Sequence, residues 1–157
     1  MRQSRASHWI VNESSRIKVI AIDSPADMER AWAIRRRVFI EEQNVPEEIE
    51  MDDDDSHALH ALAILDGVAI GCGRMLEHDS AEVKIGRMAV LQEFRKTGVG
   101  AQILRFLVDL ARERGCRKAI LHAQVAAEGF YRKEGFNRVG GVFDEAGIAH
   151  RKMERDL

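Results

Sequence analysis

Val83-Lys84-Ile85-Gly86-Arg87-Met88-Ala89-Val90, then Arg95-Lys96-Thr97-Gly98-Val99-Gly100, then residues 100–114 read as a strand, a basic glycine turn and an amphipathic helix. The helix follows from spacing: Ile103, Leu104, Leu107, Val108, Leu110 and Ala111 recur every three or four residues, with Gln102, Arg105, Asp109, Arg112 and Glu113 on the other side. Gly115 stands where a C′ glycine ends a helix, and Arg112 and Arg114 complement the dipole in the last turn. A strand that enters a helix through glycines is a cradle for an anion. The first N–H groups of the helix have no partner within it, and the macrodipole places partial positive charge there. Gly98 and Gly100 let the backbone approach that anion with no Cβ in the way.

Two nucleotide motifs fail on this stretch. A dinucleotide fingerprint needs a third glycine where Ile103 stands, and a P-loop needs Gly-Lys-Ser/Thr where Gly100 is followed by Ala101. The order Arg-x-x-Gly-x-Gly from Arg95 to Gly100, after a strand ending Met88-Ala89-Val90, instead resembles the acyl-CoA-binding motif of the GNAT superfamily of N-acetyltransferases. Downstream, a strand over 117–123 leads to Ala127-Glu128-Gly129-Phe130-Tyr131-Arg132-Lys133-Glu134-Gly135-Phe136. This segment resembles the family's last helix, a Phe-Tyr pair followed by a Gly-Phe turn. Two motifs in the family's order are more specific than either alone.

Working outward toward the N-terminus, Ile17-Lys18-Val19-Ile20-Ala21-Ile22 reads as a first strand. Ser24 caps a helix with Pro25 at its first position and Asp27 three residues after the cap, and Met28, Trp32, Arg35, Val38 and Phe39 carry its period to about Glu42. Residues 59–65 and 68–75 flank Asp66-Gly67, a strong hairpin signal, and Gly71 and Gly73 mark a bulge or the close approach of another backbone. After an Asp79-Ser80 turn, residues 82–90 complete an antiparallel meander. Residues 138–143 and 148–154 flank Asp144-Glu145-Ala146-Gly147 as a final hairpin. The expected fold class is α/β, a single-domain mixed sheet in the order β-α-βββ-α-β-α-ββ, similar to the GNAT fold over nearly the whole chain. Arg36-Arg37-Val38-Phe39-Ile40-Glu41-Glu42-Gln43-Asn44-Val45-Pro46 narrows the resemblance to the ElaA-like branch.

The 157 residues are one domain's length, expected as an arm over 1–16 and an acyltransferase domain over 17–157. A 45% hydrophobic, 32% charged composition with a net charge of −2 is that of an ordinary globular protein and gives no footing for a general nucleic-acid binder. The apolar patch around Trp9 is too short for a signal peptide or a membrane span. Cys72 and Cys116 have no metal-type spacing, and a cytoplasmic setting is the simplest expectation. Trp9 reads as packing on the domain or on a neighbouring subunit, with a plain exposed indole as the alternative. A homodimer through Trp9 or the last hairpin stays open.

Residues 41–55 hold nine carboxylates and no basic residue. A calcium loop starting at Asp52 fails, because its glycine and glutamate positions fall on His57 and Ala63. Two readings remain: a solvated acidic loop, or the edge of an acceptor site that selects a cationic amine.

Acetyl transfer to an amine needs a held thioester, an oxyanion donor, a neutral amine and an acid for the departing thiolate. The resemblance implies acetyl-CoA as co-substrate, with no metal and no covalent enzyme intermediate, its acyl group lying where the fourth and fifth strands splay. It implies an oxyanion donor near Val90, with Met88, Ala89 and Val90 beside the pantetheine. Arg95, Lys96, Thr97, Gly98, Val99, Gly100 and Ala101 would surround the pyrophosphate, and Tyr131 would be the acid. The base is open. Many relatives carry a glutamate where this chain has Lys84; Glu82 shares its face by strand parity, and His122 shares a face with Ile120 and Gln124. The expected activity is N-acetyl transfer to an amine, a small cationic one if the acidic run edges the acceptor site; the alternatives are a non-catalytic acyl-CoA-binding regulatory module and an enzyme acting on protein amines.

Overall fold

The computed structural model describes residues 16–78 and 81–157. Trp9 and the proposed arm up to residue 15, like the Asp79-Ser80 turn, lie outside them. β1 (Ile17–Ala21) leads to α1 (Pro25–Arg35), whose cap is as expected: Ser24 Oγ accepts the Asp27 N–H at 3.2 Å. Helical structure does run to Glu42, but Arg36–Glu42 is wound as a π-helix. The wider turn buries both Val38 and Phe39, and periodicity alone did not reveal it. After the single turn α2 (Glu47–Glu50) and a 3₁₀ turn (Asp53–Ser56) come β2 (Leu59–Leu65), β3 (Val68–Glu77) and β4 (Glu82–Val90). α3 (Val99–Glu113), β5 (Lys118–Gln124), α4 (Glu128–Lys133), β6 (Asn137–Glu145) and β7 (Ile148–Asp156) complete the order.

The seven strands form one sheet in the order β1-β2-β3-β4-β5-β7-β6. Every neighbouring pair is antiparallel except β4 and β5. Asp66-Gly67 and Ala146-Gly147 close their hairpins with two successive positive φ angles, 50° and 82° and then 54° and 79°. Such turns match the right-handed twist of the strands they join.

One core fills the space between the sheet and α3, around Ile103, Leu104, Leu107, Ile85, Leu121 and Met153; a second lies under α1, around Ala31, Ile34, Val38, Leu62 and Cys72. Gly71 and Gly73 let α3 settle onto β3. A Cβ at Gly71 would stand 2.9 Å from Ile103 Cδ1, and one at Gly73 would stand 2.7 Å from Met88 Sδ. Among the described residues no helix is long and apolar enough to cross a membrane.

Candidate active site

β4 and β5 run together for only four residue pairs, Glu82 with Lys118 through Ile85 with Leu121, and then part. Opposite Gly73 of β3, β4 carries a bulge at Arg87 and Met88, and Arg87 takes a φ of 52° there. A bulge bends its strand and adds local twist, which turns the tip of β4 away from β5. Through the opening runs a cavity of about 770 Å³, lined by Met88, Val90, Ala127 and Tyr131 toward α3 and α4, and by Lys84, Arg87, His122, Gln124 and Glu145 toward the other face. The splayed strand pair expected from the resemblance is present.

Strand alternation sets what β4 offers this cavity. Leu91 N–H donates to the Ile70 carbonyl at 2.9 Å, so the Leu91 and Ala89 backbone groups bond to β3. Those of Val90, and by the same alternation Met88, turn toward the gap. Ala89 is buried against the α1 core, and its side chain leaves the cleft on that side.

The glycine turn is a cradle built from backbone. Gly98 is the N-cap of α3 with φ 89°, and the space where its Cβ would stand is empty for 4 Å. Val99 drives its side chain into the core and anchors the first turn, leaving the N–H groups of Val99, Gly100 and Ala101 without an acceptor inside the helix. Gly100 lies against Phe130 of α4, whose ring is 3.4 Å from the position of a Cβ. Thr97 turns its hydroxyl inward to the Phe94 carbonyl, and Lys96 is exposed with φ 65°. Arg95 departs from expectation. Both of its terminal nitrogens bond Glu42 at 2.7 Å and its Nε donates to the Val90 carbonyl at 2.9 Å, so its guanidinium clamps the π-helix to β4 rather than standing free over the cradle. The acceptor is Glu42, in a run whose partners no local pattern names.

Tyr131 packs edge-on against Phe130 and Phe136, with ring centroids 5.0 and 6.1 Å away. Desolvation pushes its phenol up to about 12, so the proton is retained at neutral pH. His122 lines the opposite wall, its Nδ1 2.9 Å from Glu145 Oε1. Sequence reasoning placed Glu145 in a turn and missed this contact. Burial opposes ionisation of Glu145, but the hydrogen bond from His122 and the nearby His122, His150 and Lys84 charges hold it below the ordinary glutamate range. Glu82 is not brought into the cleft lining. Parity gave its face but not its depth: at about 3.3 Å per residue it lies roughly 10 Å along β4 from the point where the strands part. Gln124 Nε2 bonds Gln43 Oε1 at 2.9 Å, tying the tip of β5 to the end of the π-helix. Burial pushes the Cys72 thiol up to about 12 and also raises Cys116, in keeping with the expectation that neither is a nucleophile.

The acidic run divides: Glu41, Glu48, Asp53 and Asp54 are exposed, while Glu50, Asp52 and Asp55 are drawn into a network of arginines. Arg35 bonds Glu50 Oε2 at 2.7 Å and Asp55 Oδ1 at 2.8 Å; Arg74 bonds Asp52 at 2.7 Å and Asp55 at 2.9 Å; Arg87 reaches Glu50 at 3.1 Å and Asp52 at 2.9 Å. Arg35 and Glu50 are 1% and 3% exposed. Trp32 Nε1 donates to Asp55 Oδ2 at 3.1 Å. Burial outweighs the pairing at Glu50 and raises it; at Asp52 and Asp55 burial is outweighed by the arginine hydrogen bonds, and both fall below the ordinary aspartate range. A positive φ at a non-glycine residue costs on the order of 1–3 kcal/mol. Arg87 is held in it by this network and by the Ile49 and Glu50 carbonyls. The signal that could have found the network was Arg35, a charge set in the apolar stripe of α1.

Comparison with known proteins agrees with this geometry. The family model for the acetyltransferase (GNAT) domain matches residues 11–157. YjcF of Bacillus subtilis, an uncharacterised N-acetyltransferase, is 34% identical over 142 residues, 89% of this chain and 100% of YjcF. The crystal structure of Escherichia coli ElaA superposes with a TM-score of 0.79 at 26% identity, covering 88% of this chain and 99% of ElaA. An acyl-CoA N-acyltransferase from Pseudomonas aeruginosa gives 0.78 at 25% identity over 88% and 99% of the two chains. The narrowing to the ElaA-like branch therefore holds. The match over almost the whole chain, on a sheet that parts where this family's does, means that the chain belongs to the GNAT acetyltransferases, enzymes that use acetyl-CoA as co-substrate.

Proposed function

We propose that this enzyme transfers the acetyl group directly from acetyl-CoA to a small amine within the gap between β4 and β5. The observation that carries the reading is the parting of these strands after Ile85 and Leu121, with a backbone cradle and Tyr131 toward one face and His122 toward the other. The pyrophosphate sits at the N–H groups of Val99, Gly100 and Ala101 and the pantetheine lies along Met88 and Val90. The thioester oxygen meets the Val90 N–H. The amine enters from the side of Lys84, His122 and Glu145, and His122 takes its proton as the C–N bond forms. As the C–S bond breaks, the Tyr131 proton passes to the coenzyme sulfur. Desolvation that raises the phenol raises a buried thiol in the same direction, which keeps donor and acceptor matched.

The acidic run gives no reason to prefer a cationic amine. The cleft lining holds Glu50, Asp52, Asp54 and Glu145 against Arg74, Lys84, Arg87 and Arg95, a formal balance. Acceptor choice then rests on shape and hydrogen bonding rather than on a net field. The test is release of free thiol from acetyl-CoA across a panel of small amines and lysine-bearing peptides. Turnover confined to peptides would replace the small-amine reading, and binding with no thiol release on any amine would remove direct transfer.

The cradle has its own test. Gly98→Val places a β-branched side chain at φ 89°, where it strains the turn and covers the exposed N–H groups. Acetyl-CoA affinity measured by calorimetry is expected to fall by ~10-fold or more, the equivalent of about 1.4 kcal/mol. Cooperative unfolding should persist, because the site of the change is open to solvent. Unchanged affinity would place the coenzyme elsewhere.

A further inference from the structure

The β6–β7 hairpin contributes nothing to the coenzyme cradle, yet it encloses one side chain of the cleft. His122 of β5 has its ring edge-on to Phe143 of β6, centroids 5.0 Å apart at 80°, and its Nδ1 2.9 Å from Glu145 Oε1. Phe143 stacks in turn on His150 of β7 at 6.1 Å. His150 donates Nδ1–H to the Ile148 carbonyl at 2.7 Å, which leaves its Nε2 3.8 Å from the second Glu145 oxygen. The two-residue Ala146-Gly147 turn holds Glu145 at the end of its strand, beside both imidazoles.

An ionised carboxylate can only accept hydrogen bonds, so the His122 nitrogen that faces it must carry the hydrogen. In neutral His122 the lone pair is then on Nε2, on the side of the ring away from Glu145. We propose that Glu145 is a positioning residue that fixes the tautomer and orientation of His122, so that Nε2 receives the proton of the acceptor amine. This rests on the reading of His122 as the base. As the amine attacks the thioester carbon, its proton moves to Nε2, and the resulting imidazolium is paired with Glu145. Glu145 itself stays ionised throughout.

The other charged groups around His122 make the carboxylate matter more. Lys84 stands on β4, Lys152 is directly across from His122 on β7, and His150 lies beyond Phe143. Two of these are permanent cations that disfavour an imidazolium, and Glu145 is the anion that opposes them. Removing its charge leaves the imidazolium that forms during transfer facing cations alone.

Long-range proton–nitrogen correlation spectra of histidine-labelled protein read the tautomer without any acceptor. The wild type is expected to show Nδ1–H and a bare Nε2. Glu145→Gln, which keeps an accepting oxygen, should retain that tautomer, and Glu145→Ala should lose the preference. A wild-type His122 protonated on Nε2, or a tautomer unchanged in Glu145→Ala, overturns the proposal. Kinetics with the best amine of the panel should show kcat lower by at least ~10-fold in Glu145→Ala, the scale on which a mis-oriented histidine loses function, with KM for acetyl-CoA unchanged. In a His122→Ala background the same substitution should cost nothing further. Full kcat in His122→Ala would overturn the base reading and the proposal together. Loss of kcat in His122→Ala with a further, additive loss from Glu145→Ala would overturn the positioning role alone.

Discussion

Replacing Tyr131 by Phe is expected to lower kcat by ~10²–10⁴, the range typical of a lost general acid, with acetyl-CoA affinity nearly unchanged. The ring contributes packing, edge-on to Phe130 and Phe136, and Phe keeps all of it. What is lost is a proton that desolvation holds on the phenol, at about 12, in the wall of the gap where the thiolate leaves on the proposed reading. Among the described residues no hydrogen bond engages this hydroxyl, so its removal breaks no network. Single-turnover rates and calorimetry separate chemistry from binding. A kcat within a factor of about two of wild type, where acid catalysis asks for at least ~10², would make Tyr131 a packing residue only.

The second large effect falls on stability. Arg35→Ala is expected to cost about 3–5 kcal/mol at neutral pH, because it takes from buried Glu50 and largely buried Asp55 the guanidinium that bonds them both. Arg35 is 1% exposed, and its hydrogen bonds end on Glu50, Asp55 and the Glu50 carbonyl. Against a total stability of about 5–15 kcal/mol this is a large share, and the melting temperature should drop by roughly 10 °C. The deficit should shrink in acid. Glu50 is already raised by burial, and without Arg35 it rises further. A carboxyl with a raised folded-state value binds its proton more tightly folded than unfolded, so the penalty for burying it charged is relieved as pH falls through that value. Urea unfolding at pH 7 and pH 5 measures both parts. A deficit below ~1 kcal/mol at pH 7, the scale of a surface pair, would show that the network is not held together through Arg35.

This network also shows what kind of information the sequence lacked. Nine carboxylates in fifteen residues are conspicuous in the chain, but Arg35, Arg74 and Arg87, the partners of Glu50, Asp52 and Asp55 among them, come from α1, β3 and β4. Charge pairing across such separations depends on which elements pack together. The field inferred from the run alone is offset in part by groups that the run does not contain.

The chain by itself determined whatever depends on neighbours a few residues apart. The period of Ile103, Leu104, Leu107 and Val108 set α3; Ser24 and Pro25 set the start of α1; Asp66-Gly67 and the Gly98 cradle followed from their tolerance of positive φ. Together with the resemblance of two short motifs, these were enough for the element order and for the backbone turn at which the coenzyme is proposed to bind. Only the tertiary structure decided what those elements hold between them. The gap exists because Arg87 bulges opposite Gly73, Arg95 is drawn to Glu42, Glu82 stays below the opening, and Glu145 crosses from the last hairpin to His122. The reason is physical: backbone propensity and side-chain period act over one or two turns, whereas a hydrogen bond between residues 23 apart, like that of His122 and Glu145, forms only after the sheet has set their register.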